Sequence, residues 1–117
     1  VFLQVLNETK GTAVAGKVRV ATTLKDRLIG LLATPNIARG DGLWLKPCTS
    51  VHSFFMRYPI DVIFLDAENR VLRQTTMVPW RLSRWVPRAA SVLELSAGEA
   101  GRAYVGIGDR LAFKEMA

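Results

Sequence analysis

Hydrophobic positions along this chain fall mostly in short runs bounded by turn residues, the pattern of a small sheet rather than a helical bundle. Residues 1–6 alternate and are β-rich, which predicts a first strand. The stretch Asn7-Glu8-Thr9-Lys10-Gly11 is turn chemistry. Residues 12–21 then predict a second strand, with Val18 and Val20 on one face and Lys17 and Arg19 on the other. Periodicity changes at residues 22–32, where Leu24, Leu28, Leu31 and Leu32 recur at helical spacing behind a Thr23/Asp26 cap. Thr34-Pro35-Asn36 ends that helix. Beyond it, strands are predicted at residues 42–46, 51–57, 60–65, 71–78, 89–95 and 108–114, with a loop at 80–87 and a short helix or turn at 97–104. One main helix, a short second helix and a curled, mostly antiparallel sheet or small open barrel make the expected class α+β.

Composition narrows the class. The 117 residues suit a single domain, and 50% hydrophobic with 22% charged residues excludes a disordered chain. The longest uncharged stretch, residues 28–38, contains Pro35 and is far short of the roughly 20 apolar residues of a membrane span. Sixteen Lys and Arg against ten Asp and Glu give +6, compatible with an acidic partner without establishing one. The single Cys48 excludes an internal disulfide framework and suits a reducing cytoplasm. An exported form whose signal has been removed is the alternative location.

Two groups of residues attract chemical interest. Cys48 and His52 are the only residues of their kinds and could serve as nucleophile and base of a thiol enzyme. Fully extended, residues 48–52 would hold the two side chains about 13 Å apart, so they meet only through a bend. The competing reading is a buried thiol behaving as a small hydrophobe, beside a hydrogen-bonded histidine. One Cys and one His leave a metal's other ligands to distant carboxylates, so neither a metal nor another cofactor is expected.

Asp61 and Glu94 stand in otherwise apolar strands, where an unpaired charge is costly. Arg57 and Arg27 are the expected cations for Asp61. A polar pocket floored by Asp61 and Glu94 competes with structural ion pairing. The stretch Trp80-Arg81-Leu82-Ser83-Arg84-Trp85-Val86-Pro87-Arg88 could in principle track phosphates. It lacks a recognisable nucleic-acid motif, so Arg81, Arg84 and Arg88 are expected to be solvated and nucleic acid is an unlikely partner. Its two tryptophans suggest a lid folded over the sheet. Gly106-Ile107-Gly108-Asp109 predicts a tight turn in which Asp109 bonds its own backbone.

Taken in order, several of these segments resemble the prokaryotic family known as domain of unknown function 192. They are the Arg27-Leu28-Ile29-Gly30-Leu31-Leu32 run, Gly42-Leu43-Trp44-Leu45, Cys48, Val51-His52-Ser53-Phe54-Phe55-Met56-Arg57, Pro59 through Asp66, Val92-Leu93-Glu94-Leu95 and Gly106-Ile107-Gly108-Asp109. The resemblance implies a compact α+β domain with a curled, largely antiparallel sheet, and no established reaction. The Cys-x-x-x-His spacing before the Phe-Met-Arg run is similar to one branch of that family.

The leading functional reading is a non-catalytic binding or accessory domain for a small ligand. Its pocket would lie near Cys48, His52, Arg57, Asp61 and Glu94, with Arg27 as a further candidate. A thiol- or histidine-dependent enzyme, and an interaction module for an acidic partner, are the alternatives.

Overall fold

The computed structural model describes residues 2–22, 37–53 and 57–116. The strands are β1 (Phe2–Asn7), β2 (Thr12–Ala21), β3 (Asp41–Leu45), β4 (Ile60–Leu65), β5 (Val71–Met77), β6 (Ser91–Ser96) and β7 (Leu111–Glu115), and one short helix, α1 (Glu99–Arg102), precedes β7. The seven strands form one mixed sheet in the order β5-β4-β6-β3-β2-β1-β7. All pairings are antiparallel except β2 with β3.

The two hairpins form where turn chemistry demands them. Gly11, at φ 72°, donates its N–H to Asn7 O at 2.8 Å and closes β1 onto β2. In the β4–β5 turn, the Asp66 carboxylate accepts the N–H groups of Glu68 and Arg70, each at 2.9 Å, while Asn69 takes φ 62°. Asn tolerates that left-handed backbone better than most residues.

The sheet curls until its two edges touch at one corner. Val71 N–H donates to Asp109 O at 2.8 Å, Gly108 N–H to Val71 O at 2.8 Å and Leu111 N–H to Asn69 O at 2.9 Å. Asp109 locks this corner, accepting Asn7 Nδ2, Lys10 Nζ and its own turn's Gly106 N–H, each at 2.9 Å. Burial opposes ionisation of Asp109, but the Asn7, Lys10 and Gly106 donors outweigh it and hold its pKa below the ordinary value. The expected Gly106–Asp109 turn is therefore present, as a clasp between the chain's two ends.

Curling gives the sheet two apolar faces. The inner one buries Val5, Val14, Val18, Ile63, Leu65, Leu93, Leu95 and Leu111 and is plugged by Ala100 and Ala103 from the α1 segment. The outer one buries Leu43, Leu45, Ile60, Val62, Phe64 and Val92 under Val51 and Ala89. Two buried faces explain why β4 and β6 are buried almost throughout and, apart from Asp61, Glu94 and the terminal serines, carry apolar residues on both sides.

The described architecture is mostly β, a curled mixed half-barrel, rather than the expected α+β. The predicted main helix at residues 22–32 lies almost wholly outside the described residues. Of the predicted strand at 51–57, residues 54–56 lie outside the described residues; residues 51–53 join no described sheet strand, and His52 forms an isolated bridge to Leu82.

Candidate functional site

The pairing of β4 with β6 decides which candidates can cooperate. Val62 stands opposite Glu94, and Asp61 opposite Leu95. Since side chains alternate, Asp61 points to the inner face and Glu94 to the outer one. The sheet itself separates them, so they do not floor one pocket.

Asp61 is buried and fully engaged at the start of α1. Its Oδ2 accepts Gly98 N–H at 2.9 Å and Ala100 N–H at 3.0 Å, and its Oδ1 accepts the Thr76 hydroxyl at 2.7 Å. The expected cation is not Arg57, which is exposed. Among the described residues the salt bridges join Lys10 to Asp109 and Arg102 to Glu99. Arg27 lies outside the described residues. Among the described residues, backbone amides and a hydroxyl hold the Asp61 carboxylate, since a carboxylate is stabilised by donors as well as by charge.

Glu94 sits between Leu43 and Val62 on the outer face, 1% exposed, and its Oε2 has no hydrogen-bond partner among the described residues. Burial pushes its pKa up to about 8, so the acid is largely protonated at neutral pH. A neutral carboxyl costs far less to bury than a carboxylate.

Cys48 and His52 lie on a strap, residues 48–53, at the rim of the outer face. Cys48 is half-buried against the outer cluster, and its Sγ donates to Ser50 O at 3.0 Å. The open cleft beside it, lined by Pro47, Cys48, Thr49 and Ser50, has a volume of about 380 Å³. The Cys48 amide bonds Ala90 O at 3.2 Å, four residues before Glu94, so about 13 Å of strand separates the two backbones.

The strap's main partner is the loop at residues 78–88. Trp80 N–H donates to Ser53 O at 2.9 Å, Ser53 N–H to Arg81 O at 2.8 Å, Ser83 N–H to Val51 O at 2.8 Å and Val86 N–H to Thr49 O at 2.8 Å. Two serines complete the lattice. Ser53 Oγ donates to Val78 O at 2.6 Å and accepts Arg81 N–H at 2.8 Å, while Ser83 Oγ accepts Val51 N–H at 2.8 Å. The loop is thus a supported ridge. It is not the expected lid: among the described residues of the outer cluster, Val86 comes from the loop and Ala89 from just beyond its end. Trp80, Leu82 and Trp85 stand 56, 71 and 66% exposed, and Arg81, Arg84 and Arg88 are exposed as expected.

Comparison with known proteins agrees with this architecture. Residues 5–113 match the DUF192 family, described as "Uncharacterized ACR". This chain belongs to the DUF192 family. A UPF0127 protein of Thermococcus sibiricus is 35% identical over 112 residues, spanning 91% of this chain and 71% of that protein. A UPF0127 protein of Pyrococcus abyssi is 35% identical over 115 residues, spanning 92% and 94%. The crystal structure of a protein of unknown function from Novosphingobium aromaticivorans superposes with TM-score 0.78 at 20% identity, covering 96% of this chain and 84% of that one. That of a "putative transcription regulator" from Sinorhizobium meliloti gives 0.77 at 24% identity, covering 96% and 92%. At such identities the likeness is one of fold. The biochemical function of this DUF192 chain is uncharacterised, as it is for these family relatives.

Sequence reasoning did not single out Ser53, Ser83 or Thr76. The available signal for Ser53 is a small polar residue inside the Val51–Arg57 run, whose pattern predicts a strand. Ser53 is wholly buried with both hydrogen-bonding roles used. Ser53→Ala should cost about 1–3 kcal/mol, because it strips Val78 O and Arg81 N–H of a buried partner. The loss is read as a lower denaturant midpoint, with faster amide exchange at Arg81. Unchanged exchange there would show that the serine does not hold the ridge.

Proposed function

We propose that this DUF192 domain is a non-catalytic docking module whose working surface is the ridge at residues 78–88. The observation that carries the reading is the outward presentation of Trp80, Leu82 and Trp85 on a backbone tied down by the 48–53 strap. A loop with two tryptophans gains by burying them, so a scaffold that leaves Trp80, Leu82 and Trp85 largely exposed favours a partner that covers them. The binding or accessory role expected from the sequence is kept, and its site moves from a polar pocket to this surface. Cys48 and His52 then act as parts of the support. A thiol whose proton is directed at Ser50 O is placed for structure rather than for attack. We assign the Cys-x-x-x-His spacing to one branch of the family on the same ground, as a variation in how the ridge is held. Asp61 is committed to α1, which leaves it no ligand-binding role in this reading; Arg27, Arg57 and Glu94 have none assigned.

A photo-crosslinking residue placed at Leu82, and separately at the equally exposed Ile107, tests this in cells of the source organism. Adducts of any class, protein or lipid, should form at position 82 and not at 107. Equal yields at both positions would overturn the reading.

A further inference from the structure

We infer that the ridge docks on an anionic lipid surface, with Trp80, Leu82 and Trp85 in the headgroup region and Arg81, Arg84 and Arg88 among the phosphates. This rests on the docking reading above and names its partner.

Charge comes first. Residues 69–93 contain five arginines and neither Asp nor Glu, so the β5 strand and the ridge together form the most one-sided charge segment of the chain. Arg70, Arg73, Arg81, Arg84 and Arg88 are exposed or bonded only at the surface. Basic residues near an anionic leaflet each raise partitioning about fivefold.

The identity of the exposed apolar groups comes second. Tryptophan favours the membrane–water boundary, where its ring is apolar and its N–H is still solvated. Leucine at position 82 offers nothing to stack on a base or to pair with a charge, and a projecting ridge does not enclose a strand of nucleic acid as a basic groove would. Leu82 does suit insertion between acyl chains.

The third argument is the backbone. Entering a lipid interface is costly for unpaired N–H and C=O groups. Along the ridge, the N–H groups of Trp80, Arg81, Ser83 and Val86 and the carbonyls of Val78, Arg81 and Arg84 are already bonded within the protein. These bonds lower the backbone cost of desolvating the part of the ridge that makes them, and they hold its side chains out in advance.

The test uses the whole chain and vesicles of phosphatidylglycerol mixed with phosphatidylcholine, against phosphatidylcholine alone. Of the three tryptophans, Trp44 is buried and stacked on Phe113, so changes in emission report Trp80 and Trp85. Anionic vesicles should sediment the protein and shift its emission to the blue, and added salt should weaken both effects. Replacing Trp80, Leu82 and Trp85 by serine should reduce partitioning at least tenfold with all arginines present. Replacing Arg81, Arg84 and Arg88 by serine should reduce it about 100-fold. Both triple variants change exposed side chains only, and an unchanged unfolding midpoint verifies their fold. If either fails to fold, Leu82→Asp alone should still cut partitioning severalfold. Soluble glycerol phosphate should not compete, which separates a lipid surface from a free phosphate ligand. Absence of vesicle binding, binding indifferent to the serine variants, or binding of oligo-dT in place of vesicles would each overturn the inference. If vesicle binding fails while crosslinks at Leu82 persist, the lipid partner falls and the docking surface stands.

Discussion

Replacing Glu94 by Met should make the protein more stable at pH 8, by a few kcal/mol, and change it much less at pH 5. The native carboxyl holds its proton up to about pH 8, against 4.5 for the ordinary group. Between those values the unfolded chain has released a proton that the folded chain retains. Unfolding is therefore favoured as pH rises, by about 1.4 kcal/mol per pH unit from this one group. Its contribution is fully present below pH 4.5 and lost as pH passes through 8. Methionine fills similar volume and cannot ionise, so the variant should lack this slope. The Asp109 contribution runs the opposite way, since its depressed pKa makes its support disappear only in acid, below the Glu94 window. The measurement is denaturant unfolding of both proteins at pH 5, 6.5 and 8, taking the difference at each pH to cancel other titrations. A difference that stays constant across the three would mean that Glu94 is not protonated in the fold.

The position of Glu94 shows where reading the sequence reaches its limit. That it lay in an apolar strand was legible from Val92, Leu93 and Leu95 around it. Whether it shared a face with Asp61 was not, because side-chain parity within a strand says nothing about the register between strands. The β4–β6 register puts Val62 beside Glu94, and a slip of one residue would have placed the two acids on the same face. The hairpins were legible for the opposite reason. Their turns are local, and Asn7 to Gly11 and Asp66 to Asn69 carry the geometry in their own residues. The ridge was half legible. Its composition was plain, but its direction depends on Ser53 and the carbonyls of Thr49 and Val51, roughly thirty residues away in the chain. With those supports hidden, two tryptophans in a loop were expected to turn inward. The described partners of Asp61 were hidden for a related reason: arginines such as Arg57 are visible in a sequence, and the backbone N–H groups of Gly98 and Ala100 are not.

Asp61→Ala and Asp61→Asn should differ sharply, and the contrast identifies what holds α1 in place. Alanine leaves the buried Ala100 N–H and the part-buried Gly98 N–H and Thr76 hydroxyl without their acceptor, at a cost of about 2–4 kcal/mol, most of it from Ala100 because water can reach the other two. Asparagine can keep all three. Its oxygen can face the two backbone amides while its amide group donates to Thr76, whose hydroxyl can turn from donor to acceptor. What is lost is the charge assistance, so the expected cost is about 1–2 kcal/mol. If Asp61 instead balanced a buried arginine, asparagine would be nearly as damaging as alanine, because it would leave that cation without a counter-charge. Urea midpoints for the three proteins separate the cases. Thr76→Val adds a control, since it removes only one donor and should cost less than alanine at position 61. Equal losses for Asn and Ala would return the cation to the centre of the account. A large gap between them would establish that the inner face is closed by a carboxylate capping a four-residue helix.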